Sequence, residues 1–261
     1  MNDRIQSTFA GMYTLKKSLG QHFLKDENIC RKILSAVQAH PFLRLLEVGP
    51  GGGALTKYLL TIPDIDFKAV EIDKEKVEFL TATYPGIKNK IIHHDFLKTE
   101  KPFHENFTVV GNFPYNVSSQ IIFKLLEWEP EVECIIGMFQ KEVAQRIVSP
   151  EGNKVYGVLS VLVQTFYEVE YLFDVSEKSF QPPPKVKSGV IRCLKKTVPP
   201  AIHSREKLFL LVKTAFNQRR KTLRNAVKNL FDATILKDEL FSKRAEQIAV
   251  AQFAALTHKM K

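Results

Sequence analysis

The sequence predicts an α/β protein, a Rossmann-like, doubly wound sheet of seven strands followed by a small helical C-terminal domain. Three observations lead there. From about residue 43 to 143, short β-rich runs alternate with amphipathic stretches, the pattern of a parallel sheet covered by helices. A glycine-rich turn, Gly49 to Gly53, follows the first of those runs and opens a helix. Beyond Pro199 and Pro200 the strand signal stops and helical spacing takes over.

Taken in order, Asp26 is placed to cap a helix whose apolar positions Ile29, Ile33, Leu34 and Val37 recur at helical spacing and which ends near Pro41. The expected strands are Leu43 to Val48, Phe67 to Ile72, Lys90 to Asp95, Phe107 to Gly111 and Cys134 to Phe139, with helices between them. Two more, Thr165 to Val175 and Gly189 to Leu194, flank a proline-rich connection at Gln181 to Lys187. Right-handed crossovers then gather the strand C-termini along one edge, where ligands bind in such sheets. Ser204 to Phe231 and Asp238 to Thr257 read as helical, which divides the chain into domains 1–198 and 199–261.

With 44% hydrophobic residues in 261, the chain can bury a core without disulfides or metal. Cys30, Cys134 and Cys193 are widely separated and lack C-x-x-C spacing, so reduced thiols are expected and no metal site. Apolar runs such as Leu208 to Val212 are far shorter than the roughly 20 residues of a membrane span. The first 24 residues lack the unbroken apolar stretch of a signal peptide. These features predict a soluble, cytoplasmic protein with no membrane partner. Charge is uneven: residues 1–184 carry 20 Lys and Arg against 23 Asp and Glu, whereas the last 77 carry 18 against 5. A polycationic third on a near-neutral body points to a polyanion, because each phosphate contact releases counterions.

The chemistry sits at strand ends. Glu47 to Thr56 forms a turn in which glycine lets the backbone bend sharply and approach a ligand. About 20 residues on, the next strand ends at Glu71 and Asp73, suited to ribose hydroxyls, and the strand after that ends at Asp95, suited to an exocyclic amine. Together they describe a nucleoside-containing cofactor. A dinucleotide stays open as an alternative, although Pro50 departs from the nicotinamide fingerprint.

The fourth strand runs into Asn112-Phe113-Pro114-Tyr115. An adenine N6 amine is a poor nucleophile because its lone pair is delocalised into the ring. The Asn112 side-chain oxygen and the Phe113 carbonyl, held by Pro114, are placed to take one N6 hydrogen each, and Tyr115 to stack on the base. No catalytic His or Cys is required, since a sulfonium supplies the driving force and the methylated ammonium loses its proton to water.

These residues, in this order, resemble the KsgA/RsmA family of small-subunit ribosomal RNA adenine dimethyltransferases. The likeness extends over Lys16 to Leu24, Glu47 to Thr56, Asn112 to Tyr115, Phe180 to Ser188 and Phe216 to Asn225. It implies transfer of methyl groups from S-adenosylmethionine, leaving S-adenosylhomocysteine, to both N6 hydrogens of two adjacent adenosines in a hairpin loop near the 3′ end of 16S rRNA. It also implies action on the pre-30S subunit, late in its assembly, by a monomer.

Matched position by position, His22, Leu24, Gly49, Gly51, Glu71, Asp95 and Asn112 are implied to bind the cofactor. Asn112, Phe113, Pro114 and Tyr115 are implied in catalysis. The substrate RNA falls to Tyr115 and Phe180, the latter as a ring opposite Tyr115, and to Lys16, Lys17, Arg219, Arg220, Lys221 and Arg224. In these terms 1–198 is the cofactor-binding catalytic domain, with 1–25 contacting RNA and cofactor, and 199–261 is the basic RNA-binding domain. The sequence departs from many members at two positions, with His22 where they have Asn and Phe113 where they have Leu. A macrolide-resistance enzyme acting on large-subunit rRNA, a DNA adenine methyltransferase and a non-catalytic assembly factor stay open as alternatives.

Overall fold

Seven strands join into one sheet in the order β4-β3-β2-β5-β6-β9-β7, in a computed structural model that describes residues 22–261. In chain order the strands are β1 (Phe23–Leu24), β2 (Arg44–Val48), β3 (Asp66–Glu71), β4 (Ile91–His93), β5 (Phe107–Asn112), β6 (Val132–Gln140), β7 (Tyr167–Val175), β8 (Phe180–Gln181) and β9 (Ser188–Lys195). The helices are α1 (Glu27–Gln38), α2 (Thr56–Leu59), α3 (Lys74–Thr83), α4 (Ser118–Glu127), α5 (Lys141–Val148), α6 (Val158–Phe166), α7 (Arg205–Asn217), α8 (Leu223–Val227) and α9 (Val250–Thr257). All seven expected strands are present, and the class is the Rossmann-like one that the alternation predicts.

Strand β2 is central because it is apolar on both faces: Leu45, Leu46 and Val48 are buried. It pairs in parallel with β3 on one side (Leu45 opposite Phe67) and with β5 on the other (Leu46 opposite Val109). The chain therefore leaves β2 in one direction, through β3 and β4, and returns to its other side at β5. That reversal opens a crevice beyond the C-termini of β2 and β5.

Caps fix where the flanking elements begin. Asp26 accepts from the backbone N–H groups of Asn28 (3.0 Å) and Ile29 (3.4 Å), starting α1, whose Cys30, Ile33 and Val37 face the core. Asp73 accepts from Glu75 N–H at 3.2 Å and starts α3, while Asp95 accepts from Leu97 N–H at 3.0 Å after β4. Two elements too short to carry a period were not expected. Strands β1 and β8 form a separate antiparallel ribbon, with Phe23 opposite Gln181 and Leu24 opposite Phe180.

The chain folds as two compact units. One runs to Lys141 and resumes over Leu172–Arg192; the other comprises Glu142–Tyr171 and Cys193–Lys261. The second unit thus takes in α5 and α6 besides the segment after residue 198. Helix α6 explains this, since Leu159, Val161, Leu162, Val163 and Phe166 are all buried and a helix apolar on most sides needs neighbours all round, here α7 and α9.

The two long helical stretches expected in this unit are broken. Helix α7 stops at Asn217, a turn carries the chain to Thr222, and 3-10 turns separate α8 from α9. Tertiary bonds compete with the helix here. Arg219 turns to donate to the carbonyls of Lys154 and Tyr156, and Leu223 N–H donates to Lys243 O at 2.7 Å. Asp238 adds a local cap, accepting from Leu240 N–H at 2.9 Å.

The three cysteines are buried, and burial pushes the thiols of Cys30 and Cys134 up to about 12. Among the described residues no helix is long and apolar enough to cross a membrane, and no group of three or more His, Cys, Asp or Glu is placed to hold a metal ion.

Candidate active site

A cleft of about 1250 Å³ opens beyond the ends of β2, β3 and β5, walled on one side by His22, Phe23 and Leu24. It exceeds the roughly 300–1,000 Å³ of a site for one small ligand, leaving room for a cofactor and a flipped base.

The glycine loop forms its floor. Gly49 (φ +70°) and Gly51 (φ +55°) adopt left-handed backbone that side chains other than glycine rarely take. At Gly49 no atom lies within 4 Å of where a Cβ would stand, so its backbone is open to a ligand. Glu71 braces the loop: one carboxylate oxygen accepts from Gly51 N–H and the other from Asp73 N–H, each at 3.0 Å. Burial raises the Glu71 pKa, and those two N–H groups oppose the rise. Beneath it Glu47, 2% exposed, accepts from the Thr56 hydroxyl at 2.7 Å and is pushed up to about 8, chiefly by burial. Asp95 lines the cleft with one carboxylate oxygen on its cap.

The loop after β5 is held from three sides. The Asn112 side-chain N–H donates to the His22 carbonyl at 3.0 Å, which leaves the Asn112 Oδ1 acceptor available at the cleft. His22 in turn donates from Nδ1 to the Pro182 carbonyl at 2.9 Å. Its backbone therefore serves Asn112 while its ring serves the β8 side of the ribbon. Phe113 is buried, Pro114 follows at the cleft wall, and the Tyr115 hydroxyl meets Ser188 Oγ at 2.5 Å. Burial raises the Tyr115 pKa, against the hydrogen bond from Ser188, and its ring lies 5.5 Å from that of His22.

Expected site residues thus divide. His22, Leu24, Gly49, Gly51, Glu71, Asp95 and Asn112 through Tyr115 all border this one cleft. Phe180 does not. It is 1% exposed, paired with Leu24 in the ribbon, and among the core side chains. The RNA contacts expected of Lys16 and Lys17 lie outside the described residues. In the second unit Arg219 is fastened to two carbonyls, as above, and Arg224 Nε donates to Leu236 O at 2.8 Å. Arg220 and Lys221 are exposed.

Sequence reasoning missed Ser188, 73 residues from the Tyr115 it holds. It also missed Lys154 and Arg244, which line a hollow of about 520 Å³ with Arg219, Glu246 and Gln247. Ser188 closes the Phe180 to Ser188 stretch of the resemblance but was given no role of its own, and Lys154 and Arg244 carry no local signal; each meets its neighbour across a long distance in sequence.

A seven-stranded sheet with this switch point, an open glycine loop, a carboxylate bracing it and a second at the adjacent strand end define a Rossmann-like class I methyltransferase. Its cofactor is S-adenosylmethionine and its product S-adenosylhomocysteine, and the donor set fits: main-chain surface at the loop and carboxylates for ribose and adenine. Residues 12–259 match the family described as ribosomal RNA adenine dimethylase. Ribosomal RNA small subunit methyltransferase A of Flavobacterium johnsoniae is 51% identical over 250 residues, covering 94% of this chain and 95% of that protein. The protein of the same name from Cytophaga hutchinsonii is 46% identical, covering 94% and 96%.

Among solved structures, a dimethyladenosine transferase from Plasmodium falciparum superposes with a TM-score of 0.73 at 27% identity, covering 89% of this chain and 94% of that one. The 23S rRNA methyltransferase ErmE shares the fold, with a TM-score of 0.71 at 24% identity over 91% of this chain and 99% of its own. The protein belongs to the ribosomal RNA adenine dimethylase family and is an S-adenosylmethionine-dependent enzyme acting on adenine in ribosomal RNA.

Proposed function

We propose that this protein dimethylates the N6 amines of two adjacent adenosines in a hairpin loop near the 3′ end of 16S rRNA, on the pre-30S subunit late in assembly. We further propose that it acts as a cytoplasmic monomer. The observation that carries the chemistry is Asn112, held by the His22 carbonyl so that its acceptor oxygen stays available beside the cofactor cleft. The small-subunit assignment draws on the names of the relatives above.

In this reading Gly49 and Gly51 seat the cofactor backbone, Glu71 takes the ribose, Asp95 the adenine amine, and His22 and Leu24 close the cleft. When bound, S-adenosylmethionine supplies an electrophilic methyl on a sulfonium. The target adenine enters against Tyr115, whose ring offers a stacking face while Ser188 fixes its hydroxyl. Asn112 Oδ1 and the Phe113 carbonyl each accept one N6 hydrogen, which localises the nitrogen lone pair and directs it along the line of attack. The methylated N6 is cationic and gives its proton to water, so no strong base is needed. Arg220 and Lys221, exposed in the second unit, contact RNA phosphate. Such contacts follow backbone shape rather than base sequence.

The test is methyl transfer from labelled S-adenosylmethionine to small and large ribosomal subunits that lack their own modifications, followed by nucleoside analysis. Dimethyladenosine in small-subunit RNA alone is expected. Label in the large subunit alone would overturn the proposal, as would tight subunit binding with no transfer.

A further inference from the structure

Strands β5 and β6 pair in parallel with Gly111 directly opposite Gly137 and Asn112 opposite Met138. Two glycines facing each other in a buried sheet are poor strand residues: each loses more backbone entropy on folding than another residue and offers no side chain to pack. What they provide here is space. A Cβ on Gly137 would fall 2.4 Å from Phe139 Cε2 and 2.7 Å from Phe113 Cε2; one on Gly111 would fall 2.6 Å from Phe113 Cε1 and 2.7 Å from the Val48 carbonyl oxygen.

Residues two apart on a strand share a face, so Phe113 stands over Gly111 and Phe139 over Gly137. The two rings fold into the notch between the strands and meet edge to face, with centroids 5.0 Å apart at 65°. Phe113 N–H also donates to Met138 O at 3.1 Å. Its main chain and its ring are therefore both anchored on β6, one residue beyond Asn112.

We propose that Gly137 is a positioning residue for methyl transfer. With Gly111 it forms the notch that seats the Phe113 ring, and the seated ring fixes the direction of the Phe113 carbonyl toward the acceptor amine. The proposal rests on the reading of Asn112 to Tyr115 as the catalytic loop.

The two glycines differ in a way that decides the experiment. Around Gly111 one obstacle is backbone, the Val48 carbonyl, and trimming side chains cannot remove it. Around Gly137 the three nearest atoms are all ring atoms of Phe113 or Phe139. Gly137→Ala forces those rings to withdraw by about 1 Å, a displacement that costs on the order of 10²-fold when it misplaces a reacting group.

The measurement is kcat, KM for small-subunit substrate, S-adenosylmethionine affinity by calorimetry and Tm, on the full chain. The variants are Gly137→Ala, Gly137→Ala combined with Phe113→Leu and Phe139→Leu, and Asn112→Ala. Gly137→Ala is expected to lower kcat at least tenfold with KM and cofactor affinity within threefold, and cutting back both rings to recover at least fivefold of the loss. A Gly137→Ala kcat within twofold of the parent, or no recovery in a triple variant as stable as the parent, overturns the proposal if Asn112→Ala is impaired. Should Asn112→Ala also turn over normally, it is the catalytic-loop reading that has failed. If Gly137→Ala does not fold, Phe113→Ala empties the notch without adding an atom: a lowered kcat with unchanged cofactor affinity supports the proposal, and an unchanged kcat overturns it.

Discussion

The loop Asn112 to Tyr115 and the cationic stretch Arg219 to Arg224 are both short motifs legible in the sequence, yet the fold uses their side chains in opposite ways. In the loop, each bond fixes one group and leaves another available. Asn112 commits its N–H to His22 and keeps its oxygen, and Tyr115 commits its hydroxyl to Ser188 and keeps its ring. In the cationic stretch the division runs between residues. All four are exposed; Arg219 and Arg224 also fasten main-chain carbonyls, whereas among the described residues no such bond holds the side chains of Arg220 and Lys221. Residue type nominates candidates, and hydrogen-bond partners show which groups are already committed within the chain.

The largest effect expected from this contrast is at Asn112. Asn112→Ala should lower kcat at least tenfold, about 1.4 kcal/mol at the barrier, with RNA affinity within a few-fold. Near-normal turnover in a single-turnover assay would place the acceptor elsewhere. Next, Arg220→Ala with Lys221→Ala should weaken RNA binding several-fold and flatten the salt dependence by about 0.7–0.9 in log–log slope for each phosphate that is no longer neutralised. Filter binding at several salt concentrations measures this, and an unchanged slope would remove the second unit from the RNA footprint.

Arg219→Ala sharpens the comparison. It should lower Tm by about 2–4 °C, as expected for removing roughly 1 kcal/mol of hydrogen bonding, with less change in salt slope than the exposed pair. A slope change as large as that pair's would erase the distinction. A test by pH rather than by ligand belongs to Glu47. Its folded-state pKa of about 8 stands above the ordinary 4.5, so between those pH values the folded chain retains a proton that the unfolded chain has lost, and stability falls as pH rises through that window. Glu47→Gln, which keeps an acceptor for Thr56, should raise Tm relative to the parent at pH 8.5, with the gain shrinking toward pH 5. Thermal melts across that range would show a constant difference if Glu47 titrates alike in both states.

The sheet was legible because short β-rich runs such as Leu43 to Val48 alternate with amphipathic stretches, and the cofactor loop because glycine is needed where φ turns positive. The β1–β8 ribbon was not, since two residues per strand leave no period to detect. Phe180 shows the limit for single residues: the family motif nominates its ring, and the sequence does not show that the ring is 1% exposed in the ribbon. The membership of helix α6 in the second unit follows from which helices surround it, α7 and α9, and those lie far along the chain. Ser188, Lys154 and Arg244 owe any role to neighbours far along the chain, a distance that no local window spans.

The bond from Asn112 to residue 22 has a consequence for how the N-terminal strand can vary. The acceptor is a main-chain carbonyl, which every amino acid supplies, so the constraint at position 22 falls on where the backbone lies rather than on which side chain it carries. By the same logic, inserting one residue between His22 and Phe23, where the β1–β8 pairing begins, would shift the carbonyl away from Asn112 even if every side chain named above were kept. Insertions and deletions, rather than substitutions, are the changes this strand cannot absorb.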